Sequence, residues 1–200
     1  FVALPDPMPF TPTEGATIDA PAITTHGFFA YTEVDGVQIV AVPYAGGRIS
    51  FVALMPAVGE FDAFEDRLTQ AWFDNALATL AGTDVIFTMP KLDYESRFGL
   101  APALESLGLL AAFTSGSADF SGIDGTRDLF ISAVIHQANI TLDETGTEAA
   151  AATALIMEAG AAPPTTQPLT LTLDHPYLYL IRDNATGAPL FVGRVTNPTR

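Results

Sequence analysis

The chain has 200 residues, 48 % hydrophobic and 16 % charged, which suits one ordinary domain or part of a larger one and excludes a chain disordered by composition. Asp plus Glu number 23 against 8 Lys plus Arg; the formal net charge of -15 leaves no basic stripe for nucleic acid or anionic lipid, so neither nucleic acid nor membrane is expected as partner. The absence of cysteine excludes a disulfide scaffold, a thiol nucleophile and a cysteine-ligated metal, and no apolar run approaches the ~20 residues of a membrane-spanning helix.

Residues 1–24 hold five prolines and are predicted as loop with at most a short edge strand. The opening Phe1-Val2-Ala3-Leu4-Pro5 has no initiator Met and no basic-then-apolar leader, and reads as a cut or processing edge compatible with a removed signal peptide. Strands are expected over 28–32, 37–44 and 49–55, linked by turns at Asp35-Gly36 and Ala45-Gly46-Gly47 into an antiparallel meander. The last of these, ISFVALM, is continuously apolar, as a strand buried on both faces would be. Helical spacing of apolar residues runs through 61–68 and 70–80, with Trp72, Leu77 and Leu80 on one side. A strand over 84–89 is interrupted by Pro90, an amphipathic helix is predicted over 101–112, and 115–128 is Gly/Ser/Asp-rich loop. A long β-prone stretch covers 129–142. Strict Leu/Thr alternation over 169–173 predicts a half-exposed strand, and 177–181 and 189–196 are two more, joined by a turn at 183–187. The fold class is α+β with antiparallel sheets.

Residues 145–168 do not fit this pattern. The run Thr147-Glu148-Ala149-Ala150-Ala151-Ala152 has high helix propensity, and Thr145 and Glu148 are spaced as a capping box. The Pro-rich end, residues 160–168, cannot be helix. Read with period two, Thr147, Ala149, Ala151, Thr153, Leu155 and Met157 form an uncharged face, while Glu148 and Glu158 fall on the other. A segment compatible with loop, helix and strand suits a conformational switch.

Six motifs, in order, resemble those of the serpins. Met89-Pro90-Lys91-Leu92 is similar to the family's L-P-K-F/L. Ala118-Asp119-Phe120-Ser121-Gly122-Ile123 is similar to A-D-L/F-S-G-I. The stretch Val134-Ile135-His136-Gln137-Ala138 resembles V-x-H-K-A, with Gln in place of Lys. Glu144-Thr145-Gly146-Thr147-Glu148-Ala149-Ala150-Ala151 resembles the E-x-G-T-E-A-A-A/G hinge of inhibitory members. Residues 174–183 (DHPYLYLIRD) and 189–198 (PLFVGRVTNP) resemble the two strands after the loop. The resemblance covers about residues 16–200 and implies the C-terminal part of one serpin domain (1–200), with the reactive-centre loop at 145–168 and the N-terminal half absent from this chain.

The resemblance further implies an inhibitor rather than an enzyme: no catalytic residues, no cofactor and no metal are expected. A protease cuts the loop and is trapped when the cleaved arm inserts into a sheet. The hinge would be Glu144, Gly146, Thr147, Glu148, Ala149, Ala150, Ala151 and Ala152. Family spacing from Glu144 places the reactive bond at Gly160-Ala161, with Met157, Ala159 and Ala162 as alternatives because the loop is a few residues longer than usual. These small or apolar residues imply an elastase- or subtilisin-like serine protease as partner, besides the missing N-terminal half. Non-inhibitory (carrier or chaperone-like) and substrate-only serpins are the rival readings, and a secreted or extracellular location is expected.

His136, in an apolar strand, is expected to be a satisfied core residue, and the resemblance implies a structural role where the sheet opens. His26 and His175 are scattered and make no zinc site with it. Asn139-Ile140-Thr141 and Asn184-Ala185-Thr186 fit the glycosylation pattern, the first discounted as buried. Acidic residues such as Glu60, Asp62, Glu65 and Asp66 read as a solvated helix face, and Trp72 reads as core.

Overall fold

Hairpins between sequence neighbours organise the larger part of the fold. A computed structural model describes residues 1–147 and 167–199. Among these the chain passes through β1 (Val2–Ala3), β2 (Met8–Phe10), β3 (Ile18–Ala20), β4 (Ala22–Val34), β5 (Val37–Pro43) and β6 (Ile49–Pro56). Helices α1 (Phe61–Arg67) and α2 (Gln70–Ala78) precede β7 (Ala81–Pro90) and β8 (Leu92–Gly99). Short helices α3 (Ala101–Ser106), α4 (Leu110–Phe113) and α5 (Ser121–Asp124) lead to β9 (Ile135–Asp143) and β10 (Gly146–Thr147), and β11 (Leu169–Thr172), β12 (Tyr177–Asp183) and β13 (Pro189–Val195) follow.

The chain divides into two units, Phe1–Asp93 with Thr141–Arg200, and Tyr94–Ile140. The first contains an eight-stranded sheet ordered β11-β7-β4-β5-β6-β12-β13, with β1 also on β4. The expected meander is present as β4-β5-β6. Asp35 and Gly36 have φ of 52° and 74°, the left-handed pair that a tight two-residue hairpin requires. Val37 and Ile39 of β5, Val52 and Leu54 of β6 and Leu178 of β12 point one way, where Phe61, Phe64 and Ala76 of the helices cover them. On the other face Val40, Phe51, Ala53, Tyr179 and Ile181 are also buried, so these strands are apolar on both sides.

Polar contacts fasten the helices to the hairpin. Thr69 caps α2 by accepting from the Trp72 amide (3.2 Å). The Trp72 indole donates to the Asp35 carboxylate (2.8 Å), and Arg67 donates to the Asp35 carbonyl (3.1 Å). Trp72 is thus half-buried against Phe64 while its nitrogen holds the turn. At the opposite turns, Asp183 accepts from the Ala185 and Thr186 amides and from Arg48, which hold its carboxyl below the usual range.

The sheets are not wholly antiparallel. β11 pairs with β7 in parallel, from Leu169↔Val85 to Thr172↔Thr88, which is possible because the two are far apart in the chain. Residues 1–24 are more ordered than their prolines suggest. β2 pairs with β3 and carries Pro9 at an exposed position opposite Asp19, where a missing donor costs little. Pro90 ends β7 rather than interrupting it, opposite Ala22.

The unit Tyr94–Ile140 holds the remaining differences. The expected helix over 101–112 is split into α3 and α4, because Gly108 takes φ of 100° and its amide caps Glu105. One turn, α5, forms inside the loop 115–128. The β-prone stretch 129–142 becomes strand only from Ile135: β8 ends at Gly99, and the last bond is from the Leu100 amide to the Val134 carbonyl (2.9 Å). Within this unit the buried hydrophobic residues are Ala118 and Ile140, while Phe98, Leu107, Leu110, Ile123, Phe130 and Ile135 are exposed.

Tyr179 is 3 % exposed, stacks on Phe51 with centroids 5.9 Å apart, and lies directly across from Gly193. A Cβ at Gly193 would sit 2.3 Å from the Tyr179 ring, so the buried, stacked ring would have to shift. Gly193→Ala is therefore expected to lower stability by about 1–3 kcal/mol through overpacking, read as a lower urea midpoint of the whole protein with an unchanged slope.

Candidate functional site

The two ends of the 145–168 segment can be built from their anchors. At the first end, Ile140 and Leu142 alternate inward along β9. Asp143 then accepts from both the amide (2.8 Å) and the hydroxyl (2.5 Å) of Thr145, an Asx turn that reverses the chain. β10 folds back on β9, pairing Gly146 with Asp143 and Thr147 with Leu142. Glu144, at the tip, is bound by Lys91, with Nζ 2.5 Å from Oε2. The Lys91 hydrogen bond holds the Glu144 carboxyl below its ordinary range, against a raising influence from neighbouring Asp143. Both side chains are about one-third exposed, at 32 % and 39 %. Lys91 is itself placed by its amide, which donates to the Pro21 carbonyl (2.8 Å).

At the second end, Leu171 is buried and Thr170 exposed, as the alternation predicts. β11 lies on Val85–Thr88 of β7, the strand that ends one residue before Lys91. Beyond β11, the Leu173 amide donates to the Thr88 carbonyl (2.9 Å), and the Thr11 amide donates to the Asp174 carbonyl (2.8 Å). His175 is 8 % exposed, its Nδ1 2.6 Å from Asp174 Oδ1 and its Nε2 2.7 Å from the Pro56 carbonyl oxygen.

Of the expected hinge, Glu144, Gly146 and Thr147 are thus seen at the β9–β10 turn. Glu148, Ala149, Ala150, Ala151 and Ala152 lie outside the described residues, as do Met157, Ala159, Gly160, Ala161 and Ala162. His136 is not a core residue in this chain. It is exposed, with its ring 5.2 Å from that of Phe98. Asn139 is likewise exposed rather than buried. Asn184 has its amide nitrogen occupied, donating to the Gly47 carbonyl and the Ser50 hydroxyl, both at 2.8 Å. The buried, doubly bonded setting of His175 was not expected from the sequence. The available signal was its place between Asp174 and Pro176, where a fixed backbone holds carboxylate and ring together. Among the described residues no group of three or more His, Asp or Glu side chains converges as a metal site, and no helix is long and apolar enough to cross a membrane.

Comparison with known proteins decides the family. The family model described as serpin (serine protease inhibitor) matches residues 3–198. The chain belongs to the serpin family. An uncharacterised serpin-like protein of Thermococcus kodakarensis is 35 % identical over 91 % of this chain and 42 % of its own. Leukocyte elastase inhibitor A of Rattus norvegicus is 37 % identical over 86 % of this chain and 46 % of its own, and the Homo sapiens leukocyte elastase inhibitor is 34 % identical over 85 % and 46 %. The chain therefore spans less than half the length of these relatives. Among solved structures, a thyroxine-binding globulin complex with thyroxine superposes with a TM-score of 0.81 over 98 % of this chain and 51 % of that one, at 22 % identity. The α+β serpin fold inferred from the six motifs is the fold found.

The Lys91–Glu144 pair generates a pH-dependent prediction. A carboxyl whose folded-state pKa is lowered contributes stability above its unfolded value, ~4.3 for Glu, and loses it as pH falls through the lower folded value. Lys91→Met is expected to speed amide exchange at Thr145 to Thr147 near neutral pH. The difference from the parent should close as the pH drops through the carboxylate range.

Proposed function

We propose that this chain is the loop-bearing C-terminal part of an inhibitory serpin that traps a serine protease with small or apolar preference. The observation that carries this reading is the 145–168 segment itself, with its uncharged, small-residue alternate face. Similarity to elastase inhibitors at 34–37 % identity supports the same reading. The protease serine attacks the carbonyl of the reactive bond, Gly160-Ala161 or one of the alternatives at Met157, Ala159 and Ala162, forming an acyl-enzyme and releasing the new amino terminus. The freed arm, starting at the hinge Glu144 to Ala152, then enters a sheet as a new strand. About a dozen ladder hydrogen bonds at roughly 1 kcal/mol net each, with added apolar burial, give a driving force on the order of 10 kcal/mol or more. Dragging the enzyme distorts its oxyanion hole before water can deacylate it. Small side chains at Ala149 to Ala152 pass between strands, whereas a charge on the inward face would cost several kcal/mol to bury.

In this reading the protein acts outside the cell and is completed by the N-terminal half of the serpin, whose natural seat includes the uncovered apolar side chains of Tyr94–Ile140. A non-inhibitory carrier is the second reading, with one observation in its favour. An open cavity of about 540 Å³ lies between the sheet and α2, lined by Phe28, Leu77 and Leu80 and by Asp74, Arg182 and Asn184.

Mixing the whole protein with elastase-, subtilisin- and chymotrypsin-like proteases tests the choice. Inhibition gives a denaturant-stable covalent complex on a gel and a released peptide beginning near Ala161 by mass spectrometry. Loop cleavage with no complex would identify a substrate-only or non-inhibitory serpin. Thr147→Arg and Ala149→Glu each place a charge on the inserting face, so both are expected to raise the number of inhibitor molecules cleaved per protease trapped, with the rate of loop cleavage unchanged. Undiminished trapping by both variants would sink the insertion step.

A further inference from the structure

The connection between β11 and β12 contains a histidine whose ring lies between two acceptors. The Pro56 carbonyl oxygen, 2.7 Å from Nε2, accepts hydrogen bonds and never donates. The Asp174 carboxylate, 2.6 Å from Nδ1 and with its side chain 52 % exposed, is also an acceptor once ionised. A neutral imidazole has one N–H and one lone pair. Either tautomer would therefore set a lone pair against an oxygen at hydrogen-bond distance. The imidazolium, with an N–H on each nitrogen, satisfies both contacts, and the histidine itself is only 8 % exposed.

We propose that His175 is a proton-operated latch: doubly protonated, it fastens the end of β11 to the end of β6, and loss of one proton releases one of the two bonds. The surrounding strands bring few other charges. β2 (MPF), β6 (ISFVALMP) and β11 (LTLT) contain no ionisable side chain. On β3, Asp19 is exposed opposite Pro9; on β7, Asp84 is paired with His26; Lys91 is paired with Glu144; and Glu60, beyond Pro56, is exposed. On β12, buried Tyr177 is the nearest titratable residue in sequence. Asp174 is thus the charged group in contact with the ring. Loss of the second proton leaves one ring nitrogen facing an oxygen without a hydrogen, so both bonds are made only by the imidazolium. Its geometry stands alone; its bearing on inhibition rests on the loop reading above, since β11 is the strand that follows that segment.

Two measurements on the whole protein test this. With ¹⁵N-labelled histidine, assigned by the loss of signals in His175→Gln, both ring nitrogens of His175 are expected to carry protons at about pH 6, near the ordinary midpoint of a free histidine where half of such rings would be neutral. A ring with one bare nitrogen in that sample overturns the latch. Amide exchange at Thr11 and Leu173, corrected for the intrinsic effect of pH, is expected to rise roughly tenfold between about pH 5.5 and about pH 8.5, the scale of one charged hydrogen bond. In His175→Arg, a permanent cation with several donors, the same profile should be flat. A flat profile in the parent, or an equal rise in His175→Arg, also overturns it. Neither readout involves a protease, so failure of the latch and failure of the inhibitor reading are separately visible.

Discussion

One strand constrains everything around the proposed loop. β7 pairs through Val85–Thr88 with β11, which follows the 145–168 segment, and the residue after β7, Lys91, grips Glu144, where that segment begins. The two anchors are therefore fixed relative to one another by a single extended backbone, itself paired over ten residues with β4 from Ala22↔Pro90 to Tyr31↔Ala81. A rigid base of this kind lets a long connection be presented to another protein without the cost of ordering its ends.

The two units differ in how well they support themselves. In Phe1–Asp93 with Thr141–Arg200, β5, β6 and β12 are buried on both faces, one of them under α1 and α2, and the Trp72 and Arg67 bonds to Asp35 close that layer. Apolar area removed from water is the dominant favourable term there. Tyr94–Ile140 has the opposite character: Phe98, Leu107, Leu110 and Phe130 point to solvent in a stretch whose buried hydrophobic residues are Ala118 and Ile140. Surface of this kind marks a place where another element packs. The chain spans 42–46 % of the length of two of its relatives.

Local signals were legible where they were strong and self-contained. The Asp35-Gly36 hairpin, the apolar run of β6, the Leu/Thr alternation of β11 and the family motifs all depend on a few neighbouring residues. What sequence reasoning missed depends on distant partners. β2 and β3 form because each supplies the other's hydrogen bonds, which composition alone hides behind four prolines between Pro5 and Pro12. The strand expected from residue 129 starts only at Ile135 because β8 has already turned into α3. The parallel β11–β7 pair cannot be read from hairpin logic. His136, expected in the core, is exposed, and His175, for which no setting was expected, is buried: burial of a histidine is decided by what packs over it, not by the apolarity of its own strand.

The two anchors are unequal, and under the proposed trapping function that inequality bears on which end of the segment lets go. The chain has 23 carboxylic side chains and a single lysine, Lys91. Exposed carboxylates in such excess repel one another, and Asp143 beside Glu144 adds to that repulsion at the turn. Lys91 offsets it, but with both partners about one-third exposed, water can replace either one and opening is inexpensive. At the other end His175 is buried, and removing its partners would strand polar atoms without water. Leu173, Asp174 and His175 are held in addition by Thr88, Thr11 and Pro56, which belong to three different segments. An arm released by cleavage would therefore part from Lys91 well before β11 left β7. That order is the one the proposed trapping step calls for, with the hinge side moving and the C-terminal side staying in the sheet.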